Sequence, residues 1–224
     1  MLREGKRCAV ILAAGGSGSR FGGEINKILL PLRGKPVIAH SLEVFLNHPA
    51  VHEIVIACRE ADRPQLEEIC EKLGAGEAGK PPVLLVSGGQ TRRESVYHAL
   101  QNCREELVLI HDAARPFVEP RAVDDCLEAL ETYPAVSLAV RSKDTVKIVN
   151  DMGVVVSTTD RERTYLVQTP QGFDRILLRQ AHEAFPEVGV TDDCGLMELA
   201  GYPVKLVEGS YRNFKITTPE DMPE

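Results

Sequence analysis

Four short, largely apolar runs, at 10–12, 53–57, 83–86 and 107–110, are separated by stretches whose apolar residues recur at helical spacing. Runs of this length, apolar at odd and even positions alike, read as strands buried on both faces, which belong in a sheet covered by helices on each side. The first helix is expected to start at Gly34-Lys35-Pro36, to bury Val37, Ile38, Leu42, Phe45 and Leu46, and to end near Asn47-His48-Pro49. In the second, Asp62 is expected to cap a helix with Pro64 in its first turn, with Leu66, Ile69 and Leu73 inward and Gly74 as its stop. Residues 74–82 then form a surface loop. Strand, helix, strand in this order implies an α/β fold with a mostly parallel sheet flanked by helices.

The first run breaks into Ala13-Ala14-Gly15-Gly16-Ser17-Gly18, followed by Arg20 and Lys27. Glycines let the backbone approach a ligand closely, so that several N–H groups converge on phosphate oxygens. The two cations suit a phosphorus centre whose negative charge grows during reaction. A Walker loop would need Gly-Lys-Ser/Thr, whereas Ser19-Arg20 follows Gly18, and a dinucleotide fingerprint would need glycine where Phe21 stands. The competing account is a plain glycine turn between strand and helix.

Two more strand ends repeat the theme. Ser87-Gly88-Gly89-Gln90-Thr91-Arg92 again joins a strand to glycines and a cation, and open α/β sheets bind ligands at such ends. Gly88, Gly89 and Ser95 suit a base and Arg92 a phosphate, or else they form a tight turn, a helix start and a solvated Arg. After the fourth run, Asp112 suits Mg²⁺ and Arg115 an anionic substrate. The alternative there is an Asp112–Arg115 ion pair with His111 simply packed.

Further along, residues 135–140 read as a strand. Residues 145–149 and 154–156 flank Asn150-Asp151-Met152-Gly153 as a β-hairpin whose edge needs covering. Residues 166–173 lead to a helix capped by Asp174, with Ile176, Leu177 and Ala181 inward, and Asp192 and Asp193 suit the positive end of the next helix, an account preferred over metal ligation by either. Residues 204–207 and 214–216 are expected as closing strands, with a helix start at Thr218-Pro219.

A chain of 224 residues with 43% hydrophobic content and no long polar linker is expected to form one domain, 1–224, with a β-arm at about 141–166. A formal charge of −7, no tryptophan and 5% aromatics disfavour nucleic acid as a partner. The six cysteines lack zinc-site spacing and point to free thiols in a reducing cytoplasm. The basic residues before the first apolar run superficially suggest a signal peptide, but that run ends in the glycine loop after a strand's length. No run approaches membrane-spanning length.

Taken together, AAGGSGSRFG with Lys27, then GGQTRRESV, IHDAARPF, DTVKI, QTPQGF, TDD and NFKITTPED resemble, in order over nearly the whole chain, the signatures of the 2-C-methyl-D-erythritol 4-phosphate cytidylyltransferase family. The resemblance implies a Rossmann-like nucleotidyltransferase fold with a projecting β-hairpin arm. It also implies reaction of CTP with the sugar-alcohol phosphate to give the cytidine diphosphate product and pyrophosphate, in isoprenoid-precursor synthesis. Mg²⁺ or another divalent cation is the implied cofactor, held by Asp112. Arg20, Lys27 and Lys215 would surround the triphosphate as the catalytic groups. Ala13, Ala14, Gly15, Gly18, Gly88, Gly89, Gln90, Arg92, Ser95 and Ala113 would contact the nucleotide. Asp112, Arg115, Thr145, Arg161, Thr169 and Lys215 would address methylerythritol phosphate. The arm would cross a homodimer, so that Thr145 and Arg161 act in the partner's site. The acceptor phosphate is itself the nucleophile, so no covalent intermediate or general base is needed.

The chain departs from the family's pattern in its longer glycine run, in Ile28 after Lys27, in Gln90 where an acidic residue is common, and in a short final helix. Ribitol 5-phosphate cytidylyltransferases share the chemistry but resemble LAGG and HDSVRP where this chain has LAAG and HDAARP. A non-catalytic nucleotide-binding protein of the same fold is the alternative of another class. A nicotinamide-dependent enzyme is disfavoured by the missing third glycine.

Overall fold

A computed structural model describes residues 7–16, 25–186 and 188–222. In chain order these form β1 (Cys8–Ala13), the ribbon β2 (Pro31–Leu32) and β3 (Lys35–Pro36), α1 (Val37–Leu46), β4 (Val51–Cys58), α2 (Arg63–Lys72), β5 (Val83–Ser87) and α3 (Arg92–Leu100). Then come β6 (Leu107–Asp112), α4 (Pro120–Ala129), β7 (Ala135–Arg141), the hairpin β8 (Lys147–Val149) and β9 (Val155–Thr158), β10 (Tyr165–Asp174), α5 (Arg175–Ala184), α6 (Asp193–Leu199) and β11 (Val204–Glu208).

Seven strands form the main sheet in the order β11-β7-β10-β6-β1-β4-β5. The pairs β11·β7, β6·β1, β1·β4 and β4·β5 are parallel, while β10 runs antiparallel to both β6 and β7. Period-two alternation sorts the apolar residues into two layers. Val10, Leu12, Ile54, Ile56 and Leu109 face α1, α2 and α4 through Phe45, Leu66 and Val123. Ala9, Ile11, Val55, Val108 and Ile110 face α3, α5 and α6 through Val96, Leu178 and Met197. Both sides are therefore covered, as the continuous apolar runs require.

Several local expectations differ from the fold. The first helix begins at Val37, with Pro36 in the N-cap position ending the β2–β3 ribbon. Asp62 precedes α2 but its side chain caps nothing, because Arg59 and Asn26 engage both its oxygens. Ile176 is 48% exposed, and Leu178 takes the buried place on α5. Residues 214–216 belong to no strand or ladder; Ile216 N donates instead to Ala114 O at 2.9 Å. The final turn is a 3-10 helix, Pro219–Asp221, in a capping box with Thr218.

Candidate active site

Register alone gathers the strand ends. Ala13 lies opposite Ala57 on one side and Asp112 on the other, and Cys58 lies opposite Ser87. Both glycine segments leave the sheet still bonded to it, through Ala14 N to Ala57 O (2.9 Å) and Gly88 N to Cys58 O (2.8 Å). Ser95, in the first turn of α3, joins them. Its Oγ donates to Thr91 O (2.9 Å) and accepts from Gly89 N (3.0 Å). A Cβ at Gly15 or Gly88 would lie 3.2 or 3.1 Å from that hydroxyl, and one at Gly89 would overlap Glu94. Close approach, rather than left-handed backbone, is what these glycines provide.

The result is a cleft of about 360 Å³ lined by Ala13, Ala14, Gly15, Gly16, Asn26, Lys27, Gly89, Gln90, Arg92, Ser95, Asp112, Ala114 and Lys215. A larger hollow of about 840 Å³, lined by Arg33, His40, Phe117 and Phe214 among others, contains neither glycine turn nor Asp112. The groups suited to phosphate chemistry lie in the smaller one.

Asp112 is the electrostatic centre. Lys215 Nζ lies 2.8 Å from Oδ2, Arg92 Nε donates to Oδ1 at 3.3 Å, and Arg115 Nε stands 3.8 Å from Oδ2. Burial opposes the charged carboxylate, but Arg92, Lys215 and Arg115 outweigh it and hold its pKa well below the usual range. Thr169 Oγ1 accepts from Asp112 N (3.0 Å) and sits 3.1 Å from His111 Nδ1, while His111 Nε2 meets Arg115 O at 3.0 Å. Burial pushes His111 down to about 4, so it is a neutral strut. Asn213 completes the frame, donating from Nδ2 to Thr169 O and accepting Arg115 Nη1 on its carbonyl, both at 2.8 Å.

Lys27 opens the 3-10 helix Lys27–Leu29, which Asn26 caps. Asn26 Nδ2 also donates to Ala14 O (3.1 Å) and Asp62 Oδ2 (2.8 Å), anchoring Lys27 beside the first glycine turn. Arg92 is held by Asp193 as well as Asp112. Gly88 packs beneath Ser95, Ala113 is fully buried beside the lining residue Ala114, and Thr169 is buried behind Asp112. Thr145 and Arg161 are exposed on the arm and do not line the cleft within one chain. Gly18 and Arg20 lie outside the described residues.

Sequence reasoning missed Asn26, Asp62, Asp193 and Asn213 as parts of this site. A polar residue just before the Lys27 turn was the available signal for Asn26. For Asp193, expected to serve the helix end beside Asp192, the two roles divide: Asp192 Oδ1 accepts from Gly195 N (3.0 Å), whereas Asp193 turns to Arg92.

Among the described residues, no group of three or more His, Cys, Asp or Glu is placed to hold a metal ion by itself. A single carboxylate beside a phosphate-sized cleft does fit Mg²⁺ that arrives on a triphosphate, since that ion takes one or two carboxylates and draws its other ligands from phosphates and water. No helix among these residues is long and apolar enough to cross a membrane.

The model of the 2-C-methyl-D-erythritol 4-phosphate cytidylyltransferase family matches residues 8–224. The chain belongs to this family. A relative from Desulforamulus reducens bearing that name is 42% identical over 216 residues, 95% of this chain and 91% of its own. One from Bacillus cereus, with the same name, is 44% identical over 217 residues, 95% and 93% of the two chains. Among solved structures, the 4-diphosphocytidyl-2C-methyl-D-erythritol synthase of Anaerococcus prevotii superposes with a TM-score of 0.85 at 34% identity, covering 98% of this chain and 96% of that one. The cytidylyltransferase of Thermus thermophilus gives 0.76 at 31%, covering 96% and 95%. This cytidylyltransferase family member thus has the Rossmann-like nucleotidyltransferase fold expected of it, with a mostly parallel sheet between two helical layers.

Proposed function

We propose that this chain transfers the cytidylyl group of CTP to 2-C-methyl-D-erythritol 4-phosphate, giving 4-diphosphocytidyl-2-C-methyl-D-erythritol and pyrophosphate. An oxygen of the acceptor's phosphate forms a bond to the α-phosphorus of CTP as the bond from that phosphorus to the departing pyrophosphate breaks. Both reactants are anions, so the protein's task is to hold them in line and to neutralise charge that crowds together in the transition state. The observation that carries this reading is the meeting of two glycine turns with Lys27, Arg92 and Lys215 around one buried carboxylate, in a member of this family.

In this reading Ala13, Ala14, Gly15, Gly88, Gly89, Gln90, Ser95 and Ala113 surround the nucleoside, and Gly18 contributes to the phosphate cradle. Lys27, Lys215 and Arg20 serve the triphosphate, with Arg92 beside them. Arg115, whose buried Nε has no hydrogen-bond partner among the described residues, supplies a donor for the acceptor's phosphate next to Asp112 and Thr169. Asp112 is the residue that would hold a divalent cation, Mg²⁺ or a similar ion, which would supply charge neutralisation at the triphosphate.

Thr145 and Arg161 enter through a homodimer. Residues 141–166 carry Ile148, Val149, Val154, Val155 and Val156 exposed on a two-stranded ribbon, an apolar surface that a second copy would cover. The whole chain, 1–224, acts as one domain that includes this arm. Six free cysteines, all buried, fit a reducing cytoplasm, where thiols stay unpaired.

The test is pyrophosphate release from CTP and Mg²⁺ with methylerythritol phosphate, with ribitol 5-phosphate, and with no acceptor. Release with methylerythritol phosphate alone is expected. Release only with ribitol 5-phosphate would keep the chemistry and overturn the acceptor.

A further inference from the structure

Asp193 meets Arg92 at a different nitrogen from the cleft's carboxylate and belongs to an element, α6, none of whose residues lines the cleft. Its side chain is 1% exposed and does not cap the helix it begins, since Asp192 does so. Asp193 Oδ2 accepts from Arg92 Nη1 at 2.7 Å, and Oδ1 lies 3.5 Å from His182 Nε2, itself buried. Arg92 reaches Asp112 only through Nε, and its Nη2 has no hydrogen-bond partner among the described residues.

We infer that Asp193 is a positioning residue for cytidylyl transfer, acting through Arg92. A guanidinium beside a carboxylate favours two parallel hydrogen bonds. Asp193, bound to Nη1 on the side away from Nε, fixes the orientation of the guanidinium, so that Arg92 keeps only its Nε contact with Asp112, at Oδ1. The other oxygen, Oδ2, is then left to Lys215 at 2.8 Å. Two cations are thereby kept apart in the cleft, each on its own oxygen of Asp112, with Nη2 of Arg92 still available to a phosphate. Without Asp193, Arg92 closes on Asp112 in the paired geometry, displaces Lys215 and turns Nη2 away from the nucleotide. Neither the glycine turns nor the other cleft residues supply this constraint. The inference rests on the reading of Arg92 and Lys215 as triphosphate-binding cations.

A double-mutant cycle on the full chain tests it, with kcat and KM for CTP measured at saturating methylerythritol phosphate and CTP affinity measured separately by calorimetry. Asp193→Asn is expected to lower kcat/KM for CTP by about ten-fold or more and to weaken CTP binding. Arg92→Met is expected to be at least as slow, and the double variant no slower than Arg92→Met alone, because Asp193 then has nothing to position. Losses that multiply in the double variant, or wild-type constants for Asp193→Asn, would overturn the inference while leaving the role of Arg92 intact. Wild-type constants for Arg92→Met would overturn the reading of Arg92 itself and this inference with it. If Asp193→Asn does not fold, Asp193→Glu retains the charge but displaces the carboxylate by one methylene. It is expected to show the same loss of CTP efficiency at near-normal thermal stability, and wild-type constants from it would refute the positioning role.

Discussion

Asp112 and its neighbours show how one buried carboxylate organises charge that is meant for a ligand. Lys215, Arg92 and Arg115 pair with it, and this keeps three cations ordered around one carboxylate instead of leaving them to be arranged during binding. Lys27→Ala, Lys215→Ala and Arg20→Ala are each expected to lower turnover by on the order of 10²–10³ with the fold intact, by analogy with loss of a transition-state donor. Initial rates and circular dichroism check this, and normal turnover in all three would remove the electrostatic assignment. His111 carries a different prediction. Its pKa falls from 6.5 in the unfolded chain to about 4 in the fold, so folding favours the neutral ring. The contribution is fully present above about pH 6.5 and is lost as pH falls toward 4, amounting to on the order of 3 kcal/mol. Asp112 and Asp193, both depressed, act in the same direction only below about pH 3.8. Urea unfolding at pH 7, 5.5 and 4.5 is expected to show the decline, and His111→Gln to flatten it between 6.5 and 4.

At the scale of elements, β10 does the most to join the two halves of the sheet. It pairs antiparallel with β6 and β7, with register slipping between Val167 and Gln171, and its Gly172 lies opposite Leu109 and Val136. A Cβ there would come within 2.8–2.9 Å of Leu130, Leu109 and Val136 side chains. Gly172→Ala is therefore expected to cost about 1–3 kcal/mol through overpacking, read as a lowered urea midpoint at an unchanged slope. The α3 start shows a more local economy of parts: Thr91 accepts from Glu94 N (3.1 Å), and Glu94 in turn accepts from Gln90 N (2.6 Å). The helix cap and the shape of the second glycine turn are thus one set of hydrogen bonds. This is why Arg92 and Ser95, three residues apart, enter the cleft with fixed separation.

For the whole molecule, the exposed arm makes the prediction. Val155→Asp with Val156→Asp is expected to convert a homodimer to monomers in sedimentation. It is expected to abolish most turnover as well, because Thr145 and Arg161 are not among the lining residues of their own chain's cleft. Arg161→Ala should raise KM for the acceptor more than for CTP; equal effects would remove it from the acceptor's side. The parts legible in the sequence were those with local causes. Strands β1, β4 and β6 announced themselves because burial on both faces leaves no polar alternation; the 83–86 run is a strand too, but at the sheet edge, where Leu84 is 46% exposed and burial on both faces was wrongly expected. Lys27, Asp112 and Lys215 were legible because each follows from a strand end or a short motif. Residues 214–216 were misjudged for a related reason: Ile216 is buried by contacts with Leu32 and Val37, which imitate a strand's apolarity without its ladder. The sequence by itself determined the layered α/β plan and the sites at which phosphate chemistry is possible, because hydrophobic period and glycine punctuation are local properties. Only the tertiary structure decided that β10 would run antiparallel between β6 and β7, that Asp62 would serve Asn26 instead of α2, and that Asp193 would meet Arg92 across 101 residues of chain. Such contacts depend on which distant surfaces are packed together, and a buried charge takes the partner that packing brings to it.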